Sequence, residues 1–171
     1  MSYDSLYFVG FSGNYSGVLY LGNTHITRLP DNLKVGRSLD LRGTPITHLP
    51  EGLEVGGNLD LESTQIKELP EGLKVGGHLY LNDTPITKLP EGLKVGGSLD
   101  LRGTQITELP KDLKVGGYLD LRNTPITHLS ENLKVGGHVY IRGTPMAKTK
   151  YNPPKGVKGE IYVWLFVFYW V

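Results

Sequence analysis

The chain contains no cysteine. Disulfides, thiolate nucleophiles and Cys-based zinc sites are therefore excluded, and a reducing cytoplasm is compatible. It also lacks net charge of either sign: 18 basic and 17 acidic residues leave +1. That balance argues against a strongly basic nucleic-acid binder and against an acidic DNA mimic. Long hydrophobic runs are missing too. The longest, Ile161 to Val171, has 11 residues, too short to cross a bilayer as a helix. The opening stretch, MSYDSLYFVGFSG, has no basic start and no extended apolar run, so no signal peptide is expected.

What is present is a repeat. Units similar to LPEGLKVGGSLDLRGTQIT (89–107) recur every 20 residues from about Gly17 to Pro145, without one insertion. Leu19, Leu39, Leu59, Leu79, Leu99, Leu119 and Val139 form one column, and Leu21 to Ile141 form a second two residues on. Further columns run through Ile26 to Met146, Leu29 to Leu129, Leu33 to Leu133 and Val35 to Val135. A unit this short cannot bury its apolar face alone, so neighbours must stack on it.

The L-x-L pair has strand period, both leucines facing one side. Helix is excluded elsewhere, because Pro30 to Pro110 follow a leucine in each unit and glycine pairs such as Gly96-Gly97 follow a valine. The expected fold is mainly β. It is a short-repeat solenoid with one parallel strand per coil, a turn at R-G-T-P, an extended or 3₁₀ return through L-P-E-G-L, and a cap at each end. The alternative is a parallel β-helix with a second strand at T-P-I-T-x-L. The threonine column Thr24 to Thr144 reads as a buried hydroxyl ladder bonding turn backbone.

GSLDLRGTQI resembles the leucine-rich-repeat core L-x-x-L-x-L-x-x-N-x-L, with Gly for the first leucine and Thr for the asparagine. The continuing T-x-L-P-x-x-L looks like the short L-P-containing class of bacterial effectors. The whole unit resembles repeats of phage and prophage proteins. The resemblance covers about Gly17 to Thr149. It implies a solenoid in the cytoplasm of a bacterium or a phage-infected cell, and a modulator or inhibitor of a host protein, such as a defence system, as one form of function.

The organisation expected is one domain over 1–171. Residues 1–16 cap the first rung and 17–147 are the array. Residues 148–160 form a Pro/Lys connector whose lysines (148, 150, 155, 158) are solubilising. Residues 161–171 form a terminal aromatic strand. In that strand Tyr162, Trp164, Phe166, Phe168 and Trp170 share one side. They serve either as part of a cap or as an interface, for a second copy or for a partner adding a strand. Membrane-surface anchoring is the third reading.

Residues flanking the leucines face outward. The central column is Tyr20, Asp40, Asp60, Tyr80, Asp100, Asp120 and Tyr140. Beside it run Arg42, Glu62, Asn82, Arg102, Arg122 and Arg142, and on the other side Ser38, Asn58, His78, Ser98, Tyr118 and His138. The bland reading is a self-neutralising Asp/Arg lattice. The functional one is a protein-binding face, because Tyr and Arg are favoured anchors. Carboxylates on neighbouring rungs, about 5 Å apart, have the spacing of a glycosidase pair. They recur with the repeat, however, and no enzyme activity is expected. No cofactor or metal site is expected either, since His78 and His138 stand three rungs apart, about 14 Å. The column Lys34, Glu54, Lys74, Lys94, Lys114, Lys134 could follow phosphates. Its acidic neighbours Asp31, Glu51, Glu71, Glu91 and Glu131 cancel much of that field, so nucleic acid is not the expected partner.

Overall fold

A computed structural model of the chain describes residues 13–148 and 154–163. It is a parallel β-solenoid of about seven stacked coils. Eight two-residue strands form one sheet: Leu19–Tyr20, Leu39–Asp40, Leu59–Asp60, Leu79–Tyr80, Leu99–Asp100, Leu119–Asp120, Val139–Tyr140 and Ile161–Tyr162. Seven more form a second sheet: Asn14–Tyr15, Lys34–Val35, Glu54–Val55, Lys74–Val75, Lys94–Val95, Lys114–Val115 and Lys134–Val135. Each strand pairs in parallel with the same position one coil away, as Leu99 with Leu119 and Val95 with Val115.

The coil thus carries two short strands where one was expected. The second lies at Lys-Val, not at T-P-I-T-x-L. The reason is local. L-K-V repeats the in-out-in alternation of L-D-L, with Leu33 and Val35 buried and Lys34 exposed. T-P-I-T-x-L cannot build a ladder because Pro45, Pro85 and Pro125 have no N–H to donate. Where glutamine replaces proline the bond does form: Gln65 N–H donates to Ile46 O at 3.2 Å and Gln105 N–H to Ile86 O at 3.1 Å. The return through L-P-E-G-L is extended with a tight turn. Among the described residues the one 3₁₀ helix is Pro145–Lys148, at the end of the array.

The interior is a single stack of the predicted columns. Leu39, Leu59, Leu79, Leu99, Leu119 and Val139 are fully inaccessible, as are Ile46 to Ile126. Each threonine of the ladder bonds within its own coil, donating its hydroxyl to the carbonyl three residues back. Examples are Thr104 Oγ1 to Leu101 O at 2.7 Å and Thr144 Oγ1 to Ile141 O at 2.7 Å. The same carbonyl accepts the Thr104 N–H at 3.2 Å, so the hydroxyl closes the turn that follows the strand. Thr104→Val keeps the shape and removes that donor. It is expected to cost about 1 kcal/mol, read from urea unfolding midpoints.

The array reaches further at both ends than the 20-residue register suggests. Asn14 and Tyr15 occupy the Lys-Val positions of the first rung, pairing with Lys34 and Val35. Backbone pairing needs no particular side chain there, and Tyr15 takes the valine place. At the other end Val157 bridges Val135, and Ile161–Tyr162 pairs with Val139–Tyr140. Part of the expected connector is therefore another rung, offset by 22 residues instead of 20. Ile161 and Val163 pack on the core while Tyr162 faces outward, in the alternation expected of the terminal strand. Residues 1–12 of the expected N-terminal cap lie outside the described residues, as do Trp164, Phe166, Phe168 and Trp170.

Candidate protein-binding face

The outward face of the L-x-L sheet holds the predicted columns in register, Asp100 between Tyr80 and Asp120, and Asp120 beside Tyr140. Asp100 and Asp120 are not free. Asp100 is 3% exposed and gripped by its own coil: Oδ1 accepts Arg102 N–H at 3.1 Å, and Arg102 Nε and Nη2 reach the carboxylate at 2.9 and 2.6 Å. Asp120 and Arg122 repeat the arrangement with the same 2.6 Å contact. Arg102 Nε also lies 3.6 Å from Asp120 Oδ2, which offsets the repulsion between stacked carboxylates. Such forked pairs hold both partners in one geometry. The Asp100 bond pushes the Arg102 guanidinium further into its charged form.

Asp60 is different because Glu62 stands where the arginine would be. Its carboxylate accepts the Glu62 N–H at 3.0 Å and has no arginine fork. Partial burial raises its pKa above the ordinary aspartate value, helped by Asp40 and Glu62, against the lowering effect of that N–H. The folded state thus holds this proton more tightly than the unfolded chain, and stability falls as pH rises through the carboxylate range. Asp60→Asn keeps the acceptor and removes the charge. It is expected to raise the melting temperature at pH 7 and to change it little at pH 3. Thermal scans at the two pH values check this, and a lower midpoint at pH 7 contradicts it.

The column Ser38, Asn58, His78, Ser98 does work that sequence inspection missed. Between the two sheets the backbone ladder breaks, and the side chain of one coil accepts the N–H of the next. Asn58 N–H donates to Ser38 Oγ (3.1 Å), His78 N–H to Asn58 Oδ1 (2.9 Å), Ser98 N–H to His78 Nδ1 (2.9 Å) and Tyr118 N–H to Ser98 Oγ (3.1 Å). His138 Nδ1 likewise accepts Glu160 N–H at 3.0 Å. His78 and His138 are therefore structural acceptors whose ring proton sits on Nε2. The signal was available: every member with a partner on the next coil has an acceptor atom close to its backbone.

The C-terminal end of the face is aromatic. Tyr140 stacks on Tyr162 at 5.3 Å between ring centroids, and Tyr118 meets Tyr140 edge-on at 6.0 Å. His138 lies 5.2 Å from Tyr162, and the Arg122 guanidinium sits 5.7 Å over the Tyr140 ring. Tyr80 touches His78, and burial with the nearby Asp60 and Asp100 pushes its phenol pKa up, so it presents a neutral hydroxyl. Tyr20, at the opposite end, is 76% exposed. Arg142 is exposed, and Arg42 pairs with Asp40 at 3.3 Å.

Among the described residues no group of three or more His, Asp or Glu is placed to hold a metal ion. No helix among them is long and apolar enough to cross a membrane. No protein-family model matches the chain, and no curated protein matches it.

Proposed function

We propose that the chain is a non-enzymatic protein-binding module that uses the outward face of the L-x-L sheet. The observation that carries this reading is the pre-set state of that face. Its Asp–Arg forks and its ring cluster are fixed by in-register stacking before any partner arrives. Binding to such a surface loses little side-chain freedom, and aromatic and arginine anchors are the residues that contribute most at interfaces. The same forks occupy the stacked carboxylates Asp100 and Asp120, which at that pair favours binding over catalysis. The resemblance to effector and phage repeats makes a cytoplasmic modulator of a host protein, possible targets including defence systems, the specific form adopted here.

Asp100 is a poor probe of this face, because removing it leaves a bonded arginine without its partner. Tyr20, Tyr80 and Arg142 are better ones. The double variant Tyr80→Ala/Arg142→Ala is expected to lose a bacterial protein that the wild type retains in affinity capture, with its melting temperature within about 2 °C of wild type. Equal capture by both proteins would sink the reading.

A second reading has its own observation. Ile161–Tyr162 is an end strand of the sheet, with a strand paired on one side only among the described residues. Self-association through this end would make the chain an assembly protein. Sedimentation of the full chain against a version ending at Gly159 separates the two, and a monomer in both cases removes the assembly reading.

A further inference from the structure

Lys74, Lys94, Lys114 and Lys134 occupy consecutive strands of the Lys-Val sheet in strict register. At about 4.8 Å per rung they form a straight row about 14 Å long. Glu54, the acidic member of this column, is ion-paired to Lys34 and Lys74 at 3.7 and 2.9 Å. Lys94, Lys114 and Lys134 are exposed and have no ion-pair partner among the described residues. The next rung adds exposed Lys155 and Lys158 on either side of the Val157 bridge.

The near-zero net charge hides this sorting. The acidic turn residues Glu71, Glu91 and Glu131 stand three residues before the lysines, and exposed Asp112 two before Lys114, up to about 10 Å away along the chain. That is close to a Debye length at physiological salt, so they weaken the row mainly from that side. On its other side lies a strip without side chains: Gly76, Gly96, Gly116 and Gly136 are exposed, each followed by a second, partly exposed glycine. Glycine is there for packing, because a Cβ on Gly116 would meet the carbonyl oxygen of Gly96. A consequence is bare backbone between the lysines and the rings of Tyr118, His138 and Tyr140, while on the last rung the exposed Glu160 stands there against Tyr162. Lys114 and Tyr118 are four residues apart, at most about 13 Å of extended chain.

We propose that this strip binds single-stranded nucleic acid, with phosphates along the lysine row and unpaired bases against the Tyr118 ring, which meets Tyr140 edge-on and has no ring stacked on it among the described residues. A cationic track beside aromatic faces is the combination that single strands reward. A duplex hides its base faces, and an acidic peptide leaves the rings unused. The site shares its aromatic end with the proposed protein-binding face but does not rest on that reading.

Fluorescence anisotropy of a labelled oligothymidylate about 12 nucleotides long, titrated with the full chain, tests it. Binding at low salt is expected to weaken with a log–log salt slope of about −2 to −3, from three or four phosphates at roughly −0.7 each. Lys94→Gln/Lys114→Gln/Lys134→Gln should weaken binding more than tenfold and flatten the slope. Tyr118→Ala should weaken it about tenfold with the slope unchanged, and Tyr118→Phe should retain it. Circular dichroism of each variant checks folding, and Tyr118→Leu, which removes the ring but keeps apolar bulk, carries the ring test if the Ala variant unfolds. The proposal is overturned if the oligonucleotide does not bind at low salt. It is equally overturned if duplex DNA or polyglutamate binds as tightly, or if loss of the Tyr118 ring has no effect in a folded variant.

Discussion

Gly96→Ala is expected to destabilise the protein by about 3 kcal/mol, a fall of roughly 6–12 °C in melting temperature. The added methyl would overlap the carbonyl oxygen of Gly76 and lie 2.9 Å from its carbonyl carbon. Both are backbone atoms of the neighbouring coil, so no rotamer change relieves the contact. The coils must separate, and the ladder bonds Gly96 N–H to Val75 O (3.0 Å) and Gly97 N–H to Gly77 O (2.8 Å) stretch with them. The control is Gly92→Ala, in the turn one strand earlier. There φ is +69° and nothing lies within 4 Å of a built Cβ. That change has only the left-handed backbone cost of about 1–2 kcal/mol. Matched denaturant melts of the two variants separate crowding from dihedral strain. A smaller loss for Gly96→Ala than for Gly92→Ala would show that the coils are not pressed together at the glycine column.

Leu99→Ala carries the second large effect, about 3–4 kcal/mol. Leu99 is fully inaccessible and sits between Leu79 and Leu119 in the stack. A cavity there loses contacts to the coil above and the coil below, and the paired backbone keeps either from collapsing into the gap. The column also predicts how such losses combine. Leu59 and Leu119 are three rungs apart and share no partner, so Leu59→Ala and Leu119→Ala should add within about 0.5 kcal/mol. Leu99→Ala and Leu119→Ala share one cavity wall and should depart from additivity. Equilibrium unfolding of the singles and doubles measures both.

Much of this architecture was legible from spacing alone. Six aliphatic positions and one threonine, each returning after 20 residues, leave little but a stack of equal coils. The second strand was also written in the chain, since Leu33 and Val35 flank an exposed Lys34 just as Leu39 and Leu41 flank Asp40. It was obscured by the following glycines, which suggest a loop until their close approach to the next coil is known. The last rung was missed because its offset is 22 residues, although V-K-G-E-I-Y-V answers V-G-G-H-V-Y-I position by position. At the face, the outward columns were placed correctly in sequence. What spacing could not convey was that Asp100 and Asp120 are buried under their arginines, or that His78 is committed to the Ser98 N–H. Those facts depend on side-chain reach across a rung, which a column of letters does not contain.

The absence of cysteine makes the central claim directly measurable. Spin labels placed at Lys34→Cys and Lys134→Cys would be the only two thiol-linked groups in the chain. The labelled positions stand five rungs apart in one ladder, about 24 Å. Double electron–electron resonance should give a narrow distribution near that distance. Excising one unit, residues 77–96, should shorten it by about 5 Å while the protein stays folded. A distance that does not change on excision, or a broad distribution in the intact chain, would contradict the stacking of equal coils.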